Sequence, residues 1–172
     1  MKNSLLLKQK NLGLVAWSPF KDDPFLLARG SLLEVPEDSV HTEEIELLRI
    51  DPLRISEPNP LISMGRLETG VTLNCLDWSA GFLEETQKGI ISGAFGDGSL
   101  VLLDAQKLLE SQAQSENGVL EDEDSDDPAL LSTFTLYESQ EFYCMEYNAF
   151  KPHLLATGGS DIYIVNFERS LD

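Results

Sequence analysis

Asp122, Asp124 and Asp126 stand at the alternate spacing with which a calcium loop opens, offering carboxylate oxygens to a hard cation. Such a loop turns on glycine at its sixth position and closes on a bidentate glutamate at its twelfth. Here those positions hold Asp127 and Thr133, so a solvated acidic segment is expected instead. Gly93-Ala94-Phe95-Gly96-Asp97-Gly98 has the outline of a phosphate-cradling loop, which needs a helix to start inside it. An alternating stretch, Ser99 to Leu103, starts at once, and Asp97-Gly98 is a turn pair that tolerates positive φ, so a hairpin is expected. His41 lies in a polar stretch, and His153 follows Pro152. Neither histidine has a cysteine or carboxylate at metal-ligand spacing, and no serine sits in a Gly-x-Ser-x-Gly elbow. The expectation is a chain that is not an enzyme, with no catalytic residue, cofactor-binding residue, cofactor or metal. A hydrolase built on His153 is the remote alternative.

Three aromatics could stack on a ligand, but they share one context. Leu12-x-x-Val15-x-Trp17-Ser18, Leu73-x-x-Leu76-x-Trp78-Ser79 and Phe142-x-x-Met145-x-Tyr147-Asn148 are copies of one pattern. Each copy leads into a stretch of small residues and then an alternating apolar stretch. A repeated unit too small to bury its own apolar faces implies neighbours stacked against it, so Trp17, Trp78 and Tyr147 are expected to pack between units. Cys75 and Cys144 occupy the same place in the second and third copies, and two reduced, buried thiols are expected in preference to a disulfide.

The elements that would position these residues are strands. In the first copy they run from Leu12 to Trp17, Phe25 to Arg29 and Ile45 to Ile50, with a polar rim insertion from Ser31 to Thr42. Pro52, Pro58 and Pro60 make Asp51 to Ser63 an irregular crossing, after which Met64 to Thr69 supplies an outer strand. The second copy reads as Thr72 to Trp78, Gly89 to Phe95 and Ser99 to Leu103. A helix from Ala105 to Gln114 follows, capped by Asp104. The third copy reads as Leu130 to Leu136 as an approach strand, then Phe142 to Tyr147, His153 to Thr157 and Ile162 to Phe167. The fold class expected is all-β, a partial propeller of about three blades, 10–69, 70–136 and 137–170, with an acidic disordered insertion at 110–128.

Charge narrows the partners. The chain carries 30 acidic and 12 basic residues, for a formal net charge of -18. Eight of the acids and no Lys or Arg fall between Glu110 and Asp127. Nucleic acid and anionic membrane surfaces bind through Lys and Arg that displace counterions, so direct binding to either is not expected. Ser125, set among acids, suits an acid-directed kinase, whose phosphate would alter recognition more than fold. At the amino terminus Leu5-Leu6-Leu7 is far short of a signal core or a spanning helix.

Val15-Ala16-Trp17-Ser18-Pro19, Leu76-Asp77-Trp78-Ser79-Ala80 and Met145-Glu146-Tyr147-Asn148-Ala149 resemble the strand that opens a WD repeat. Leu154-Leu155-Ala156-Thr157-Gly158-Gly159 is similar to its small-residue strand. Val165-Asn166 and Leu103-Asp104 stand where Trp-Asp normally ends the unit, and the Gly-His pair is missing. The order of segments resembles the amino-terminal propeller of the large outer-coat subunit of COPII vesicles, the Sec thirty-one family. It runs from Ala16-Trp17-Ser18-Pro19 through Ile45-Glu46-Leu47, Gly89-Ile90-Ile91-Ser92-Gly93-Ala94 and Gly98-Ser99-Leu100 to Asn148-Ala149-Phe150. The resemblance implies a WD40-type ring of seven blades and a scaffold of cage assembly in transport from the endoplasmic reticulum to the Golgi. It further implies a cytoplasmic location, peripheral at exit sites and on vesicles, with membrane contact only through other coat proteins. The partners it implies are other outer-coat subunits, among them Sec thirteen, which engages a segment outside these residues. An adaptor propeller of another pathway, recruiting a reader through Glu121 to Asp127, is the alternative.

Overall fold

Alternation of apolar and polar residues sends successive side chains to opposite faces of a strand, and here nearly every strand is apolar on at least one face. The computed structural model describes residues 13–31, 43–54, 60–80, 86–116, 128–135 and 142–167. These form three antiparallel sheets. The first takes β1 (Gly13–Trp17), β2 (Leu26–Ser31), β3 (Glu44–Ile50) and β4 (Leu61–Glu68) in chain order. The second takes β5 (Leu73–Ser79), β6 (Ile90–Phe95), β7 (Ser99–Asp104) and β8 (Leu130–Thr135) in the same way. In the third, β10 (Leu154–Gly158) lies between β9 (Cys144–Tyr147) and β11 (Ile162–Asn166).

The registers place the three repeat aromatics in equivalent rows. Trp17 stands opposite Leu27, and Leu27 opposite Leu48. Trp78, Ile91 and Leu103 form the same row in the second sheet, and Tyr147, Leu155 and Val165 in the third. The neighbouring row, which points to the other face, is Asp77, Ser92 and Leu102 in the second sheet and Glu146, Ala156 and Ile164 in the third.

Two cores separate the three sheets. Ala16, Leu26, Ala28, Ile45 and Leu47 of the first sheet meet Leu76, Trp78, Ile91, Val101 and Leu103 of the second. The opposite face of the second sheet, with Cys75, Ile90, Ala94, Leu100 and Leu102, meets Tyr147, Leu155 and Phe167. The second sheet is thus covered on both sides, which explains why β6 is buried along its whole length. The fold is a partial WD40-type β-propeller.

One helix, α1 (Ala105–Glu116), follows β7. Asp104 caps it as expected: its carboxylate accepts the Gln106 and Lys107 amides at 2.9 and 3.3 Å. Leu108 reaches the first core, and a Cβ at Gly65 would overlap the Leu108 carbonyl oxygen. The helix therefore seats against β4 through a glycine.

The structure corrects three expectations about elements. Residues 110–116 of the segment expected to be disordered are the end of α1, and 117–127 lie outside the described residues. The stretch read as an approach strand of the third copy is β8, paired with β7 as the outermost strand of the second sheet. The chain returns antiparallel beside the strand it has just left, which leaves three described strands in the third sheet where four were expected. Finally, β4 starts at Leu61 directly after Pro60, inside the stretch read as an irregular crossing. Proline at the entry to an outer strand removes no ladder hydrogen bond.

Candidate interaction faces

The interfaces between sheets show what a repeat face does when it has a neighbour. Trp78, 4% exposed, projects toward the first sheet and donates its indole N–H to the Lys88 carbonyl at 2.9 Å. That hydrogen bond satisfies the one polar atom of a side chain otherwise held in an apolar layer. At the rim of this interface, Lys88 pairs with Asp22 at 3.3 Å and lies 6.0 Å from the Phe20 ring centre.

Tyr147 is the corresponding residue at the second interface, 8% exposed. Its hydroxyl is hydrogen-bonded to Ser92 across the sheets. Its backbone N–H donates to the Asp77 carboxylate at 2.6 Å, while the other carboxylate oxygen accepts the Trp78 N–H at 2.8 Å. Ser79 adds a third link, its hydroxyl donating to the Pro152 carbonyl at 3.1 Å. Around this seat the Phe167 ring lies 6.4 Å from Tyr147 and 6.0 Å from Phe134, and Phe142 meets Tyr163 edge-on at 5.6 Å. Burial drives the Tyr147 phenol well above its usual range, the Ser92 hydrogen bond offsets part of that, and the Asp77 charge adds to it. Tyr147→Phe keeps the ring and strands the Ser92 hydroxyl, so a loss of about 1–2 kcal/mol is expected in urea unfolding.

The two terminal sheets present the same faces without a neighbour among the described residues. On the first sheet Val15 and Trp17 are 64% and 58% exposed, although Ala16 between them is in the core. Beside them Arg29 bridges Glu44 at 2.9 Å and Glu46 at 2.6 Å, an ion cluster that is largely buried. On the third sheet Ile162 and Ile164 are 83% and 65% exposed, alternating with Tyr163 and Val165, which pack inward. A cavity of about 360 Å³ opens on this face, with Glu146, Ala156, Ile164 and the exposed Phe150 in its lining.

Trp78 and Tyr147 therefore pack between sheets as expected, and Trp17 does not. Its row points away from the second sheet, where Leu27 and Leu48 are buried and Trp17 itself is exposed. The cysteines divide for the same reason. Both are free, but Cys75 is buried against the third sheet while Cys144, at the equivalent place, is exposed. The expectation of two buried thiols holds for Cys75 alone. Burial, then the nearby Cys144 and Asp77, push the Cys75 thiol up to about 12. In the native protein one thiol, Cys144, is expected to react with a maleimide, and Cys75 only on unfolding. Because the folded thiol holds its proton to higher pH than an unfolded one, its contribution is complete below about pH 8.5. It is lost as pH rises through 12. Cys75→Ala should flatten that alkaline loss in denaturant titrations.

Of the residues weighed for chemistry, His153 and the glycine-rich turn lie among the described residues. His153 lies in the turn before β10, where its backbone carbonyl accepts the Phe167 N–H at 3.0 Å. Gly96-Asp97-Gly98 is the expected hairpin, with Gly98 at φ 85° and the Asp97 carboxylate accepting the Ser99 amide at 2.9 Å. His41, Ser125 and Asp122 to Asp127 lie outside the described residues. Among the described residues no group of three His, Cys, Asp or Glu side chains could hold a metal ion. No described helix is long and apolar enough to cross a membrane. Asp77 and Ser92, which join the sheets, were missed as functional residues. A signal for Asp77 existed in its place directly before the repeat aromatic, a position that is acidic again at Glu146.

Repeat aromatics seated between successive antiparallel sheets, as Trp78 and Tyr147 are, mark a WD-repeat propeller fold, and this chain has it. Within that class it is similar to the SEC31 protein transport proteins. It is 28% identical over 147 residues to protein transport protein SEC31 of Dictyostelium discoideum, covering 85% of this chain and 10% of that protein. It is 31% identical over 151 residues to protein transport protein sec31 of Aspergillus oryzae, covering 87% of this chain and 11% of that protein. The chain thus spans about a tenth of the length of these curated relatives. Among solved structures it matches a chain from COPII on membranes, outer coat vertex, with a TM-score of 0.63 and 22% identity, over 94% of this chain and 35% of that one. No family model matches.

Proposed function

We propose that the chain is a non-enzymatic scaffold segment of the COPII outer coat, acting in transport from the endoplasmic reticulum to the Golgi. The observation that carries this reading is the alignment with SEC31 proteins over more than four-fifths of the chain. The physical features agree with it. Polar side chains of the second sheet, Asp77, Ser79 and Ser92, are used to join it to the third sheet. In this reading the segment supplies blades of about 10–69, 70–136 and 137–170, and its partners are proteins.

The partners it implies are other outer-coat subunits, with SEC13 engaged through a segment outside these residues. A net charge of -18 argues against direct attachment to anionic lipid or nucleic acid, so the protein reaches the membrane from the cytoplasmic side through other coat proteins. The test is co-sedimentation of the full-length protein that carries this segment with liposomes loaded with inner-coat proteins. Pelleting with loaded but not bare liposomes is expected. Absence from the loaded pellet rejects the assignment and leaves an adaptor role in another pathway, through Glu121 to Asp127, as the better reading.

A further inference from the structure

We infer that β8, the outermost strand of the second sheet, takes up an extended segment of a protein partner as an added strand, and that this segment carries Lys or Arg at its ends. An outer strand leaves a row of N–H and C=O groups unpaired, and folded chains guard such a row with charged side chains or a covering element. The two outer strands differ in that respect. β4 holds the exposed Arg66 and Glu68, and α1 lies against it at Gly65. β8, Leu130-Leu131-Ser132-Thr133-Phe134-Thr135, has no charged residue, and among the described strands β7 alone pairs with it. At the other margin of the same sheet β5 lies beside β1 and β9, so β8 is on the periphery of the array. Sheets stack face on face, and a further blade on either side leaves this edge as it is.

The pairing of β8 with β7 shifts at Leu131, which leaves Ser132 to Thr135 as the regular edge. Phe134 is partly buried toward the third sheet, its ring 6.0 Å from that of Phe167, while Thr133 and Thr135 are exposed. An added strand therefore meets an aromatic on one face and hydroxyls on the other, which suits β-branched apolar residues alternating with polar ones. The charge of the partner follows from the chain. Its net charge is -18, no Lys or Arg stands between Lys107 and Lys151, and in the sequence Asp126 and Asp127 precede β8 while Glu138 and Glu141 follow it. A second copy would bring the same acids to the same edge, so like charge opposes self-pairing and favours a cationic partner. The inference goes beyond the coat reading and does not depend on it, because its test uses no coat protein.

The test titrates the full-length protein that carries this segment with a fluorescent peptide of alternating threonine and valine flanked by lysines, reading anisotropy and amide hydrogen exchange. Saturable binding is expected, with slower exchange within Ser132 to Thr135. A peptide with proline at its central valine keeps the charge and loses the pairing, and is expected to bind at least about tenfold more weakly. The same loss is expected when glutamates replace the flanking lysines. Thr133→Lys places a charge at an exposed position of the edge and is expected to weaken the lysine peptide by about tenfold, with the far-UV circular dichroism unchanged. No binding of the lysine peptide overturns the inference, as do equal binding of the proline peptide, full binding by a folded Thr133→Lys variant, and binding that leaves exchange in β8 unchanged. Equal binding of the glutamate peptide overturns the cationic partner. If the variant fails to fold, exchange in the wild-type β8 decides.

Discussion

Trp78→Ala is expected to cost about 3–5 kcal/mol of stability, and Trp17→Ala less than about 1 kcal/mol, although both residues open the same repeat. The first side chain is 4% exposed, packs in the layer between two sheets, and leaves the Lys88 carbonyl without its indole partner when removed. Truncation removes a large apolar area and leaves a cavity that flanking strands cannot fill, since their own registers hold them. The second is 58% exposed, so its truncation removes little contact. Urea unfolding at concentrations where the chain is monomeric measures both. Equal costs would mean that the sheets are not stacked in the order described.

Gly89→Ala is expected to cost about 3 kcal/mol, against about 1 kcal/mol for Gly70→Ala. Both glycines have positive φ, 76° and 63°, so each alanine carries the left-handed penalty. Only at Gly89 does space add to it. A Cβ there would overlap the Ser79 carbonyl oxygen and come within 3.1 Å of the Phe20 ring, whereas at Gly70 nothing lies within 4 Å. The obstruction is backbone of the paired strand and cannot swing aside. Gly89 also holds the start of α1, its carbonyl accepting the Ala105 amide at 3.2 Å. Thermal unfolding of the two variants side by side separates the conformational cost from the packing cost.

Much of this architecture is legible in the residues themselves. The spacing of Trp17, Trp78 and Tyr147 announces a unit written three times, and alternation within Ser99 to Leu103 and Ile162 to Phe167 identifies strands without reference to neighbours. Asp97-Gly98 and Asp104 carry their own local chemistry, a turn and a cap, and appear where that chemistry needs them. Pairing partners are another matter. Leu130 to Thr135 has the composition of a strand wherever it lies, and only the return of the chain after α1 places it on β7. Equivalence in sequence likewise does not decide burial. Cys75 and Cys144, or Trp78 and Trp17, differ because one member of each pair has a described sheet against it and the other has none. The role of Asp77 depends on the Tyr147 N–H, 70 residues further along the chain, reaching its second carboxylate oxygen, a geometry that no local pattern encodes.

The second and third repeats each seat their aromatic on the sheet before them. A double-mutant cycle between Ser92→Ala and Tyr147→Phe tests that most directly, since these side chains are separated by 55 residues in the chain and meet only if the second and third sheets stack. A coupling of about 1 kcal/mol is predicted. Additive losses, with no coupling between the two hydroxyls, would contradict it.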